Sequence, residues 1–354
     1  MMQSNKNTFW RGKKVFLTGH TGFKGSWLSL MLAEYGATIR GFSLAPPTDP
    51  SLFKIAGISE LIESFTGNVQ DKDTLCECVQ SFQPDIIFHL AAQPLVRESY
   101  RDPVETYSTN VIGTVNLLEA ARLCQKLRVI LNVTTDKCYL NDGSGHPFQE
   151  SDRLGGVDPY SSSKACAELV TSAYLSSFFS ESNSPVVATA RAGNVIGGGD
   201  FATDRLIPDI LRAFENDLAV RIRMPFAVRP WQHVLEPLSG YLVLAEKAYN
   251  EGRRFQGGWN FGPTEQGFQT VGWIAEYLAK HWGRPALIEL DTDNHPEEAS
   301  VLKLDITKAS QSLGWAPKWS IEQALNQIIS WHHAWQSGGS IGEIMRRQIH
   351  SYGA

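Results

Sequence analysis

Short apolar runs alternate with amphipathic stretches along the first half of the chain. Val15-Phe16-Leu17 is an apolar run ending at Gly19, and residues 26–35 carry a helical pattern that Gly36 stops. Residues 38–44 repeat the strand signal and residues 63–68 give a shorter one. Residues 71–82 have helical periodicity. Residues 85–91 are almost continuously apolar, as in a parallel strand covered on both faces. Residues 106–125 predict a long helix and residues 128–135 a fifth strand. Residues 159–179 predict a second long helix, with Pro159 in its first turn, and residues 186–192 a sixth strand. Pro46, Pro47 and Pro50 exclude regular structure from residues 45–50. Strands alternating with helices predict right-handed βαβ units, hence an α/β fold with a doubly wound parallel sheet.

After Gly193 the rhythm weakens. Helical stretches at 206–214, 238–249, 271–281 and 321–335 alternate with turn-rich pieces, and Trp259-Asn260-Phe261-Gly262 reads as a late strand returning to the sheet. Residues 1–193 are expected to form the sheet domain. Residues 194–354 are expected to form mainly a smaller lobe over the sheet's carboxyl edge, where such sheets bind ligands.

Composition narrows the function classes. The chain has 354 residues and a net charge of −5 with both signs dispersed, so no nucleic-acid footprint is present. The polar N-terminus lacks the apolar core of a secretory signal, and no apolar run could span a bilayer. A cytoplasmic protein is expected. The cysteines are five, an odd number with no CxxC pair, and predict reduced, packed thiols. The nine histidines form no ligand set, so no structural metal is expected.

The chemistry begins at Thr18-Gly19-His20-Thr21-Gly22-Phe23-Lys24-Gly25, between the first strand and its helix. Gly19, Gly22 and Gly25 would leave bare N–H groups at a helix N-terminus, which suits a pyrophosphate. The same glycines could simply tighten a strand-to-helix turn. Strand two ends without the acid that usually holds the ribose of NAD. Arg40 could instead hold a 2′-phosphate, or face solvent while Ser43 and the backbone hold the ribose. The strand leaves NAD and NADP open. Asn68 and Val69 could flank an adenine, and the small residues of Leu90-Ala91-Ala92 allow a cofactor close to the backbone.

Tyr160 and Lys164 lie four apart at the start of the second long helix and share a face. An ammonium near the phenol would favour the phenolate. Strand five ends Thr134-Thr135-Asp136-Lys137, gathering hydroxyls, a carboxylate and an ammonium at the edge where this fold holds ligands.

The glycine turn, the strand-five hydroxyls and YxxxK, in this order, resemble the extended short-chain dehydrogenase/reductase superfamily from about residue 13 to about residue 335. Thr134-Thr135-Asp136 looks like the signature of its nucleotide-sugar 4,6-dehydratases. Most of these follow the Asp with Glu, where this chain has Lys137. Gly19–Trp27, Ala91–Val96, Asp136–Tyr139 and Arg229–Leu238 are similar to the CDP-glucose 4,6-dehydratases.

That resemblance implies a retained NAD in a Rossmann domain, CDP-glucose as substrate and a product destined for 3,6-dideoxyhexoses of surface polysaccharide. It implies cofactor contacts from Gly19, Thr21, Gly22, Phe23, Lys24, Gly25, Arg40, Ser43, Asn68, Val69, Leu90, Ala91, Ala92, Thr109, Tyr160 and Lys164. It implies substrate contacts from Gln93, Asn194, Arg205 and Arg229. Thr135, Asp136, Lys137, Tyr160 and Lys164 would carry the chemistry: Tyr160 takes the 4-hydroxyl proton, Asp136 expels the 6-hydroxyl and Lys137 stands where the carbon 5 base is expected, as that base if neutral or to order a water. Relatives often place a basic nucleotide contact where this chain has His295-Pro296-Glu297-Glu298. The two long helices are expected to pair two copies as a homodimer.

Overall fold

Seven strands hydrogen-bond in parallel to make the central sheet: β1 (Lys14–Thr18), β2 (Thr38–Ser43), β3 (Glu63–Thr66), β4 (Ile86–His89), β5 (Val129–Val133), β6 (Val186–Ala192) and, after three short strands outside the sheet, β10 (Gly257–Phe261). Their spatial order is β10-β6-β5-β4-β1-β2-β3. This computed structural model describes residues 8–283, 287–291 and 301–353; the 295–298 stretch lies outside the described residues. The order reverses between β1 and β4, so the loops after these two strands open a crevice at the carboxyl edge.

Alternation along β1 explains the two covered faces. Val15 and Leu17 join a cluster with Trp27, Leu30, Leu238 and Tyr241, from the helices Phe23–Glu34 and Leu235–Glu251. Phe16 points the other way, into a cluster with Leu75, Val79, Leu117 and Leu118. Burying both faces is what the continuous apolar strands required.

The expected late strand is real: β10 pairs in parallel with β6, Gly257 opposite Ala188 and Phe261 opposite Ala192. Two differences from the sequence pattern matter. First, the long helix expected at 106–125 is built as Pro103–Tyr107, a π-helical turn at Ser108–Ile112 and Gly113–Arg122. The wide turn presents Asn110, whose amide donates to the Gln93 carbonyl (3.1 Å) and the Ser163 hydroxyl (2.8 Å). Second, a final helix, Ile341–Tyr352, packs Ile341, Met345 and Ile349 into the same core as Val15, and Arg346 pairs with Glu34 at 2.7 Å. This last helix thus returns to the helix Phe23–Glu34.

A separate core includes Ile207, Ile210, Phe214, Val220, Ile222, Trp231, Leu278 and Leu325. It lies beneath two small sheets. In one, β9 (Val228–His233) pairs in parallel with β7 (Asn194–Ile196) and antiparallel with β11 (Phe268–Thr270); in the other, β8 (Val220–Ile222) pairs with β12 (Ile288–Leu290). These strands have three to six residues each, too few for an alternating pattern to stand out. All cysteines are free thiols, and among the described residues no helix is long and apolar enough to cross a membrane.

A buried ion pair ties the sheet to the helix Pro159–Ser177. Glu168 accepts from Arg191 Nε (3.0 Å) and Nη2 (2.8 Å), from the Thr189 hydroxyl (2.6 Å) and from the Thr134 hydroxyl. Removing one partner of such a pair strands the other charge. Glu168→Ala is expected to cost about 3–5 kcal/mol in urea unfolding, with much of it recovered in Glu168→Leu/Arg191→Met.

Candidate active site

The first wall of the site is the glycine turn. Gly19 has φ +75°, and a Cβ there would stand 2.7 Å from the Ala91 nitrogen. A Cβ on Gly25 would stand 2.1 Å from the Gly19 carbonyl oxygen. Only glycine lets the turn close against the end of β4. The helix Phe23–Glu34 starts at Gly22 with no side-chain cap, so its first N–H groups face outward for an anion. The cradle therefore fits a dinucleotide's pyrophosphate.

At the end of β2, Thr21 and Ser43 share a hydrogen bond of 2.8 Å, and Thr21 also donates to the Leu44 carbonyl at 2.9 Å. Two hydroxyls thus stand where the acid is missing. Arg40 is a correction to the expectation: its side chain lies away from this edge. Its guanidinium grips Glu63 at 2.8 and 2.9 Å, donates to the Cys78 carbonyl at 3.1 Å and sits over the Phe82 ring. Strand alternation puts Arg40 with Phe42, on the side of the helix Lys72–Phe82.

Val69 is buried in the core against Gly113, while the Asn68 carboxamide oxygen turns back to the Gln70 N–H at 3.0 Å. Thr109 donates to Glu105 (2.8 Å) and receives a bond from Gln70 (2.9 Å). Leu90 and Ala91 are tied by their N–H groups to the Thr18 hydroxyl, both at 3.1 Å, which leads into the half-buried Ala92.

The second wall is the end of β5 with the helix Pro159–Ser177. Asp158 caps that helix by accepting from the Ser161 N–H at 2.9 Å, which fixes Tyr160 in the first turn. Thr135, Asp136, Lys137, Tyr160, Asn194, Arg205 and Arg229 all line one cavity of about 600 Å³, together with Phe23 and Lys24. Lys164, also expected to take part in the chemistry, is not among the residues that line this cavity.

Gln93 is a second correction, because it turns inward instead of joining the cavity wall. Its carboxamide donates to the Leu95 carbonyl (3.1 Å) and the Thr106 hydroxyl (2.9 Å) and accepts from the Leu95 N–H (2.6 Å). It braces the loop whose Pro94, Leu95 and Val96 do line the cavity.

Electrostatics set the protonation states. Asp136 is buried; Thr135 donates to its Oδ1 at 3.0 Å, while its Oδ2 is enclosed with no hydrogen-bond partner. Burial outweighs the nearby Lys137 and raises the carboxyl to about 6. Burial likewise pushes the Tyr160 phenol up to about 12, against the pull of its hydrogen bond with Thr135. The expected lowering by Lys164 is absent: the ammonium hydrogen-bonds the Val133 carbonyl at 3.3 Å. Burial brings Lys164 itself down to about 8, with Glu168 opposing.

Several cavity residues escaped the sequence reading. Arg97 pairs with Asp204 at 3.1 Å, and Arg205 with Asp200 at 2.9 Å. Arg221 and Arg223 flank Ile222; Val220 and Ile222 are buried and Arg221 exposed. Ile196 leads into three glycines, Gly197, Gly198 and Gly199. A Cβ on Gly198 would stand 2.1 Å from the Trp331 ring, and the Gly198 carbonyl accepts from Trp27 at 3.0 Å. That close passage delivers Asp200 to Arg205.

The sequence profile of the GDP-mannose 4,6-dehydratase family matches residues 16–328. A CDP-glucose 4,6-dehydratase of Salmonella typhimurium is 52% identical over 348 residues, covering 97% of each chain. Among solved structures, an epimerase of Methanothermobacter thermautotrophicus superposes with a TM-score of 0.80 at 22% identity, covering 96% of each chain. A dTDP-glucose 4,6-dehydratase of Bacillus anthracis, solved with NAD, superposes with a TM-score of 0.77 at 24% identity, covering 93% of this chain and 99% of that one.

The raised Asp136 carboxyl has a stability signature. The folded chain holds this proton up to about pH 6, whereas the unfolded chain releases it near pH 4. Its contribution is therefore full below about pH 4 and lost as pH rises through about 6. Compared with Asp136→Asn, the wild type should lose roughly 2–3 kcal/mol between those limits, read from urea melts at a series of pH values.

Proposed function

The chain belongs to the GDP-mannose 4,6-dehydratase family of extended short-chain dehydrogenase/reductases, and on that premise we propose that it is a CDP-glucose 4,6-dehydratase using bound NAD. The observation that carries the reaction is Asp136, a buried acid with one carboxyl oxygen unpartnered, in the same cavity as Tyr160. The substrate rests on the extensive identity to the Salmonella enzyme.

NAD, when bound, supplies the hydride acceptor for carbon 4 and the donor for carbon 6, so no second redox substrate is consumed. Gly19, Gly22 and the first turn of Phe23–Glu34 would hold its pyrophosphate, and Thr21 with Ser43 its ribose. Tyr160 takes the proton of the 4-hydroxyl, with Thr135 hydrogen-bonded to it. The phenol's raised value must fall for this, and a cationic nicotinamide, when bound, would act in that direction. Lys137, beside Asp136 on the cavity wall, serves removal of the carbon 5 proton, either as the base in its neutral form or by ordering a water that accepts the proton. Asp136, whose carboxyl burial raises to about 6, gives its proton to the departing 6-hydroxyl from its protonated form. Asn194, Arg205 and Arg229 reach the diphosphate; a guanidinium fork suits phosphate oxygens. The product is CDP-4-keto-6-deoxyglucose, a precursor of 3,6-dideoxyhexoses.

Two copies are proposed to pair through the helical segments at 103–122 and 159–177. Val104, Ile112 and Leu169 stand exposed there, at 75%, 50% and 58% of their surface.

Incubation with CDP-, UDP-, GDP- and dTDP-glucose should give the alkali-induced absorbance of a 4-keto product with CDP-glucose. Turnover of dTDP-glucose alone would overturn the substrate. Asp136→Asn should slow water elimination by about 10²–10⁴-fold while carbon 4 oxidation, followed as NADH formed in a single turnover, persists. Equal loss of both steps would remove Asp136 from the acid role. Ile112→Glu and Leu169→Glu should shift sedimentation from dimer to monomer; an unchanged coefficient would exclude this interface.

A further inference from the structure

Two walls of the cavity, distant in sequence, are joined by one ion pair. Arg97 stands in the short helix Val96–Arg101 that follows β4, and Asp204 in the turn before the helix Leu206–Glu215. Arg97 Nη1 donates to Asp204 Oδ1 at 3.1 Å across 107 residues of chain. Both residues line the cavity. Arg205 with Asp200 and Arg212 with Asp209 pair inside the lobe itself, so neither of those bonds joins the two walls. Arg97 and Asp204 keep 30% and 25% of their side chains exposed, whereas Asp136 and Tyr160 are buried. The bond therefore spans the rim, and the chemistry lies beneath it.

The two sides of the bond are mounted differently. Arg97 sits on a braced loop: Gln93 holds Leu95, and the buried Ser99 hydroxyl donates to the Val96 carbonyl at 2.6 Å. Asp204 has φ +59°, in the left-handed region that side-chain-bearing residues seldom adopt and that Asp and Asn tolerate best. The next residue, Arg205, begins the helix Leu206–Glu215 without a side-chain cap. We propose that Arg97 and Asp204 are a latch on this cavity, a positioning pair that delays escape of the bound sugar nucleotide between the first hydride transfer and the second. The braced Arg97 is the fixed side, and the turn at Asp204 is the side that opens.

The proposal rests on the reading of the cavity as a 4,6-dehydratase site, and that reaction gives retention a purpose. Oxidation at carbon 4 sends a hydride from the sugar to NAD and the hydroxyl proton to Tyr160. If the 4-keto sugar leaves at that stage, with its 6-hydroxyl still in place, the cofactor stays reduced. That molecule of enzyme has then lost the oxidant for its next cycle. A gate that stays shut until the hydride is returned prevents this. A latch obstructs entry and exit alike, so its removal quickens both and leaves affinity nearly unchanged. A half-exposed ion pair is a modest barrier, and the expected change in each rate is about 5-fold.

The first measurement needs no turnover. Stopped-flow tryptophan fluorescence, with Trp231 on the cavity wall as a reporter, follows CDP entering and leaving the purified enzyme. Wild type, Arg97→Met, Asp204→Asn and the double variant are compared, with thermal melts to confirm folding; Asn keeps the left-handed backbone accessible. Each single variant should speed both association and release about 5-fold and hold the dissociation constant within about 2-fold. The double variant should be no faster than either single one, because one bond accounts for both effects. In turnover with CDP-glucose, the product mixture is trapped with borodeuteride and read by mass spectrometry. The variants should release about 5-fold more 4-keto sugar still bearing its 6-hydroxyl, and NADH should accumulate in step. Wild-type rates in both folded single variants would overturn the latch. A weaker affinity with unchanged association would make Arg97 a direct ligand contact and would overturn it too. If UDP or dTDP binds in place of CDP, the substrate reading fails and the same rates are compared with that nucleotide. Binding of none of the three removes the nucleotide-sugar reading and the latch with it.

Discussion

A single buried carboxylate, Glu168, holds the reactive half of this molecule in register. It accepts from Thr134 at the end of β5, from Thr189 and Arg191 on β6, and it belongs to the helix that carries Tyr160 and Lys164. Tyr160, Lys164 and Glu168 fall at successive fourth positions, so one helix face bears the phenol, the ammonium and their anchor. Arg191 extends the network to the Tyr139 hydroxyl at 2.8 Å, which donates to Asn260 on β10 at 2.7 Å. The pair is a poor source of net stability, because two charges were desolvated to make it. What it does is set where Thr135 and Asp136 stand relative to Tyr160.

The cavity above that anchor is governed by desolvation. Asp136, Tyr160, Lys164 and Lys24 are each moved toward their neutral forms, with burial as the largest cause. An acid that holds its proton more tightly and a lysine that holds its proton less tightly are both consequences of the same low-dielectric wall. Anionic ligands reverse part of this by supplying the charge that water would otherwise have screened. Binding and proton chemistry are coupled through the site's shape as much as through its residue types.

Two arrangements show how tightly the halves of the chain are joined. The turn at Gly19 closes on the end of β4, and the run at Gly197–Gly199 passes between Trp27 and Trp331. The second carries Asp200 and Arg205 from the far lobe into the cavity. The C-terminal helix then packs back on the cofactor-side helix through Met345 and Arg346.

The sequence by itself determined the parallel sheet, because strands buried on both faces must be continuously apolar and their crossovers amphipathic. It also determined the glycine turn, the Thr135–Asp136 pair and YxxxK, because these depend on local spacing and on a place at a strand's carboxyl end. Arg40 and Gln93 were legible as polar residues near the right edge, yet only packing decided that Glu63 and the Leu95 loop would claim them. Lys24 was legible as part of a turn, but its side chain's place in the cavity was not. Protonation states were decided by the tertiary structure as well, since desolvation depends on what covers a group, and the covering residues lie far away in the chain.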